Sequence, residues 1–237
     1  MDEQLYLDIS EFLTNQIKSG NYRMGEKLPS ENTLCQMFAT NHAVVRQAIQ
    51  CLINRGWITS YQGRGSYVNS IAKPIPYILS PHTGFSENLK EQGVLHENRL
   101  LNWKKRVPHP EERQKLQLGT HDLVYELQIL RFINQTPAAV SLSVIAEKKV
   151  PQLSDYLEDF RSLYSILAVK FKIRPVRRRS LIDAIVPERR EAVILQLPES
   201  LPLIRIESLS AHPDGSPLEI CISKIRSDRC RYLIDFN

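Results

Sequence analysis

Apolar residues at Leu5, Ile9, Phe12, Leu13 and Ile17 recur every three or four positions and are followed by Gly20, which predicts an amphipathic helix over residues 4–19. Ser30 can cap a short second helix that buries Leu34 and Phe38, and Asn41 can cap a third. In that third helix Val45, Ala48, Ile49 and Leu52 share one face and Gly56 closes it, leaving His42, Ala43, Arg46 and Gln47 near its exposed amino-terminal end. Residues 57–61 and 66–69 then alternate as strands around Gln62, Gly63, Arg64 and Gly65. A helix pair closed by such a hairpin can set one helix in the major groove of DNA and the hairpin tip in the minor groove, where arginine is the preferred probe.

The pattern breaks after residue 70. Pro74, Pro76 and Pro81 interrupt both periodicities, which predicts a linker over 71–81 between a DNA-binding domain (1–70) and a second domain (82–237). In the second domain a helix is expected at 85–93, entered through Ser86 and ended by Gly93, and another is opened by Ser162. Strands are expected at 123–132 and 138–146 about the turn Asn134-Gln135-Thr136-Pro137, then at 177–186, 202–211 and 217–226. Helices beside a largely antiparallel sheet, an α+β fold, is the simplest architecture for this order.

Charge sharpens the first domain. Residues 1–40 carry Lys18, Arg23 and Lys27 against six acids, whereas 41–70 carry Arg46, Arg55 and Arg64 and no acid, so the basic side is the third helix and the hairpin, where phosphates would lie. No apolar run approaches a membrane span and the amino terminus is acidic, so a soluble, cytoplasmic chain without a membrane partner is expected. Cys35, Cys51, Cys221 and Cys230 show no metal-ligand spacing and read as small buried hydrophobes. No nucleophile–base pair, metal cluster or phosphate loop stands out, so neither catalysis nor a cofactor is expected.

LPSENTL, the helix ending VVRQAIQCLINRGW, and QGRGSYV closely resemble the winged helix-turn-helix of GntR-type bacterial regulators. The resemblance implies DNA contacts from Ser30 and Glu31 at the second helix, from Asn41, His42, Ala43 and Arg46 on the recognition helix, and from Gln62 to Gly65 on the wing. These regulators usually carry arginine where this chain has His42; an imidazole lacks the bidentate fork, so the base read there would differ. FSENLKEQG, EKKVPQLSDYL, SLY, PLIRIE and DGSPLEICISKIRSDR resemble the UTRA effector domain of the HutC subfamily, which shares the chorismate lyase fold, with FSENL, SLYSIL and RRRSLIDA most similar to PhnF-like regulators of phosphonate use.

Backbone N–H groups where the helices begin, at Phe85–Asn88 and at Ser162, Leu163 and Tyr164, together with the Arg131 guanidinium, form donors suited to a small anion. The resemblance assigns ligand contacts to Phe85, Ser86, Arg131, Ser141, Ser162, Leu163 and Tyr164, and adds Glu219 for a cationic or hydroxyl group. Relatives that bind amino-sugar phosphates have arginine at Ile129 and glutamate at Ser141, which disfavours such a ligand here. Arg177-Arg178-Arg179 reads as an exposed strand edge. The expected function is a homodimeric, effector-responsive repressor of a pseudo-palindromic operator in double-stranded DNA, with a phosphonate or phosphate ester as effector; a sugar phosphate or a histidine-pathway ligand is the alternative effector, and an enzyme or a ligand-free architectural protein the alternative class.

Overall fold

The computed structural model describes residues 2–69, 74–82 and 84–234, which form two compact units. The first takes in the amino-terminal helices and hairpin together with residues 186–192 and 197–201; the second holds a six-stranded sheet and the elements around it.

In the first unit α1 (Asp2–Lys18), α2 (Glu31–Met37) and α3 (His42–Asn54) follow the apolar spacing. Ile9, Leu13, Leu34, Val45, Ala48 and Leu52 are fully buried together, each large side chain contributing about 1.5–3 kcal/mol on leaving water. Phe38 is half-buried instead and meets Phe12 edge to face at 5.3 Å. Ser30 and Asn41 both cap as expected, accepting from Thr33 N and Val44 N at 3.1 Å. The hairpin strands are β1 (Ile58–Tyr61) and β2 (Gly65–Val68), so Gly65 belongs to the strand and the turn is Gln62–Arg64. Residues 25–28 lie along the other edge of β2, with Leu28 N bonded to Ser66 O and Val68 N to Glu26 O.

The second unit differs from expectation at its start. Residues 70–73 lie outside the described set, but 74–81 is not a plain linker: β3 (Ile75–Ile78) pairs in parallel with β10 (Cys230–Leu233). Pro76 is tolerated because this two-stranded sheet leaves β3 an open edge. The helix predicted at 85–93 is α4 (Phe85–Glu91); its N-cap is Gly84, with extended backbone, not Ser86, which lies inside the first turn. Then come β4 (His96–Arg106), which periodicity did not reveal, α5 (Pro110–Lys115), β5 (Val124–Ile133), β6 (Thr136–Ala146) and α6 (Leu163–Ile166), capped by Ser162 and continued as a π-turn over Leu167–Phe171. The chain finishes with β7 (Val176–Ile185), α7 (Arg189–Leu195), β8 (Leu203–Ala211), β9 (Pro217–Arg226) and β10. The β5–β6 turn is tighter than predicted: Asn134 and Gln135 both take positive φ, the geometry of a two-residue hairpin loop.

The sheet runs β4-β5-β6-β9-β8-β7, antiparallel throughout. One face packs Tyr125, Leu127, Ile129 and Ile145 against Leu153, Leu163 and Leu167; the other packs Val124, Val144 and Ile220 against Leu116 and Leu118 beside α5. Among the described residues no helix is long and apolar enough to cross a membrane.

Candidate nucleic-acid interface and ligand cavity

On α3 the buried face is Val44, Val45, Ala48, Ile49 and Leu52, which leaves His42, Ala43, Arg46 and Gln47 exposed on one side. Arg46 Nε donates to Glu31 Oε2 at 2.9 Å, and His42 Nδ1 lies 3.6 Å from the same oxygen. Glu31 at the start of α2 therefore orients two of the α3 side chains singled out in the sequence, Arg46 and His42. Ser30 and the Asn41 carbonyl oxygen are occupied as caps. At the wing Gln62, Gly63 and Arg64 are exposed, Gly63 and Gly65 take φ of +72° and +96°, and Tyr67 donates to Arg64 O at 3.3 Å, fixing the base of the tip.

The second unit holds a cavity of about 1080 Å³. Strand register builds its floor in rows. One row sets Asn98 beside Arg131 and Ala139; the next sets Ile129 beside Ser141, Ser223 and Ile206; the third runs Ser143, Cys221, Ser208 and Ser180; the fourth runs Ile145, Glu219, Ser210 and Arg177. Hydroxyl groups from four strands, at alternate positions on β6 and β8, thus share one face.

Arg131 lies over this floor with its guanidinium 4.9 Å from the centre of the Phe85 ring. Its Nε donates to Ser141 Oγ at 3.0 Å and one terminal nitrogen reaches Asn98 Oδ1 at 3.4 Å. Among the described residues no carboxylate is within ion-pair distance of it. Asn98 in turn donates to Ser86 Oγ and to Arg161 O, at 2.8 and 2.9 Å, tying α4 to the turn before α6. The Tyr77 ring stacks on Phe85 at 6.0 Å, so β3 forms part of the cavity wall.

Glu219 is fully buried; Ser143 donates to one carboxylate oxygen and Tyr164 to the other, the latter at 2.9 Å. Burial pushes the Glu219 carboxyl above its ordinary value, while the two hydroxyl donors and the charges of Arg131 and Arg177 pull it down. Burial, then the Glu219 charge, raises the Tyr164 phenol well above its usual range. Gly84 is required where it stands: a Cβ there would come within 2.9 Å of the Tyr164 ring.

The expected ligand residues Phe85, Ser86, Arg131, Ser162, Leu163, Tyr164 and Glu219 all line the cavity. Ser141 lies beneath Arg131, hydrogen-bonded to Ser223. Leu163 puts its side chain in the core and has only its backbone to offer. α4 and α6 are too short for an appreciable macrodipole, which leaves individual N–H groups as donors. One reading is corrected. Arg178 and Arg179 are exposed, but a bulge between Arg177 and Arg179 shifts the alternation of β7 so that Arg177 faces the cavity, where it also donates to Ser80 O at 2.5 Å. Asn98, Tyr77 and Ser223 were missed as well. The period-two serines of 141/143 and 208/210 among apolar neighbours were the signal that could have exposed this floor.

Residues 5–68 match the family model described as bacterial regulatory proteins, gntR family, and residues 91–231 match the UTRA domain. The chain belongs to the GntR family and carries a UTRA effector domain. Among its relatives, the probable fructoselysine utilization operon transcriptional repressor of Escherichia coli K12 is 24% identical over 98% of this chain and 94% of its own length. The regulator GgaR of the same strain is 28% identical over 94% and 88%. The crystal structure of PhnF from Mycobacterium smegmatis superposes with a TM-score of 0.66 at 21% identity, covering 97% of this chain and 99% of that one, and shares the fold. GntR regulators of this architecture bind operator DNA through the amino-terminal domain and small molecules through UTRA. The chain is such a DNA-binding transcriptional regulator, not an enzyme.

Proposed function

We propose that this GntR regulator is a homodimeric repressor whose operator affinity is set by a small anionic effector in the UTRA cavity. The observation that carries the effector class is Arg131, a permanently charged guanidinium positioned by Ser141, Asn98 and Phe85 without a carboxylate partner among the described residues. A phosphate monoester or phosphonate supplies the missing counter-charge, with Ser86 and the N–H groups at Ser162–Tyr164 as neutral donors. A phosphonate suits the Arg131 end alone; Ser208 and Ser223, which line the floor beside Glu219, favour, as a second reading, a phosphorylated polyol whose hydroxyls bond there. Either fits the repressor of a catabolic operon, the role named for the fructoselysine relative.

On DNA, Arg46 and His42 would face base edges or phosphates in the major groove, and Arg64 would enter the minor groove. Ser30, Glu31, Asn41 and Ala43 would support that face, and Gln62, Gly63 and Gly65 would bring the tip close to the duplex. Two copies on a two-fold axis would read an inverted repeat. Coupling would pass through residues 71–81, which join the two units in the sequence.

Selection of duplexes from random DNA should return an inverted repeat, and anisotropy titrations on that duplex should show release by a phosphate ester or phosphonate but not by urocanate or a neutral sugar. Recovery of an asymmetric site refutes the dimeric reading, and release by the neutral sugar refutes the anion.

A further inference from the structure

We propose that Lys27, which precedes α2 and lies outside the hairpin in sequence, is part of the wing and grips a backbone phosphate beside the groove that Arg64 enters; this rests on the wing docking proposed above. Three observations converge on it. Lys27 pairs with Tyr67 across an antiparallel bridge, so residues 25–28 extend the wing to a third, short strand. Its side chain then runs over the hairpin: a Cβ on Gly65 would lie 2.6 Å from Lys27 Cε and 3.4 Å from Nζ. The lysine stem thus lies against the Gly65 backbone, whose φ of +96° favours glycine.

The charge is also uncommitted. Lys27 and Arg64 are both exposed, and among the described residues neither has an ion-pair partner. The neighbouring acid Glu26 turns back to accept from Arg23 N at 2.7 Å. Local charge counting had placed Lys27 in the acidic first half of the domain, but the fold moves it to the basic side. An ammonium is a compact point charge without the planar fork of arginine, and on the wing it lies beside the minor groove rather than over the guanine edge of the major groove, so phosphate is the group it suits, and its contribution should be independent of sequence.

Lys27→Met keeps the stem over Gly65 and removes only the charge, and Lys27→Arg restores it. Each full-length protein would be titrated by fluorescence anisotropy, over a series of salt concentrations, against the duplex it selects from random DNA and against a scrambled duplex. Lys27→Met should reduce the slope of log affinity on log salt by about 0.9 for each bound wing and weaken both duplexes by the same factor, with Lys27→Arg close to the parent. Arg64→Ala is measured in parallel. Weakening by Arg64→Ala with no change in slope for Lys27→Met overturns the role of Lys27 while the wing docking stands. No effect of either substitution overturns the docking itself. A weaker Lys27→Met protein whose salt slope is unchanged makes Lys27 a prop for the hairpin and also overturns the phosphate contact.

Discussion

Replacement of Arg131 by alanine separates an effector contact from a structural one. Within the fold the guanidinium makes one hydrogen bond of ordinary length, at 3.0 Å to Ser141, a long one of 3.4 Å to Asn98, and a face contact with Phe85. Its loss strands no charge, but it takes from the buried Asn98 side-chain oxygen its one partner among the described residues. Ser141 keeps Ser223 at 2.8 Å, and Asn98 keeps Ser86 and Arg161 O. The structural cost is then the ring contact, about 0.5–1 kcal/mol or about 2–4 °C in Tm for a chain of this size, together with the loss of the Asn98 oxygen's donor and of a charge that eases the burial of Glu219.

The effector cost is larger. Removing one partner of a charge-assisted bond costs about 1.5–3 kcal/mol, or about 10- to 150-fold in Kd. Calorimetric titration with a phosphate ester that the parent protein binds, together with thermal melting of both proteins without ligand, measures the two costs independently. Arg131→Lys should fall between parent and alanine, because it keeps the charge and loses the fork. A Kd for Arg131→Ala within threefold of the parent would refute the anion site. A large fall in Tm with affinity preserved among folded molecules would make Arg131 a structural residue.

Arg46→Ala and Arg64→Ala should each weaken binding to the selected duplex by about 1–3 kcal/mol with melting unchanged; equal affinities for parent and both variants, in anisotropy at one salt concentration, would contradict the docking. His42→Arg should shift base preference toward guanine at one symmetric pair of operator positions, since arginine bonds both major-groove acceptors of guanine; random-site selection with both proteins checks this, and identical preferences would take His42 off the bases. Glu219→Gln should change the pH dependence of stability. A carboxyl whose pKa is raised by folding adds stability that is complete below its ordinary value near 4.5 and is lost as pH rises through the folded value. The variant lacks that loss, so its Tm relative to the parent should climb as pH rises from about 4 toward neutrality; a constant difference would show that burial does not raise Glu219.

The helices and hairpin of the first unit were legible almost residue by residue, because the helices are amphipathic and their caps are Ser30 and Asn41; residues 186–192 and 197–201, which join the same unit from far along the chain, were not. The second unit was legible where one face of a strand is apolar. β4 was missed for the opposite reason: His96–Arg106 is an edge strand whose outer face carries Glu97, Arg99 and Lys104, and a bulge between Leu100 and Asn102 breaks what alternation remains, so exposed Lys105 falls on the other face. β3 was read as linker because its prolines are breakers in an isolated chain. It becomes a strand only through β10, more than 150 residues later, and no local rule anticipates a parallel pair of that separation.

The site divides along the same line. Arg131, Tyr164 and Glu219 could be chosen singly from the sequence, yet what makes them a site is the register that puts Asn98 opposite Arg131 and Ser143 opposite Cys221. Arg177 shows this most sharply. A strict alternation anchored on Ser180 puts Arg178 on the cavity face and Arg177 outside; one extra residue in β7 exchanges them. A bulge leaves almost no trace in composition, so three consecutive arginines carry no mark of which one turns inward. Its consequence is electrostatic as well as geometric, because Arg177 on β7 and Arg131 on β5 then flank the floor from opposite sides with Glu219 between them on β9. Both lower the cost of the buried carboxylate and both would attract an anionic effector. The positive charge that flanks the cavity floor therefore depends on a backbone irregularity as much as on side-chain identity.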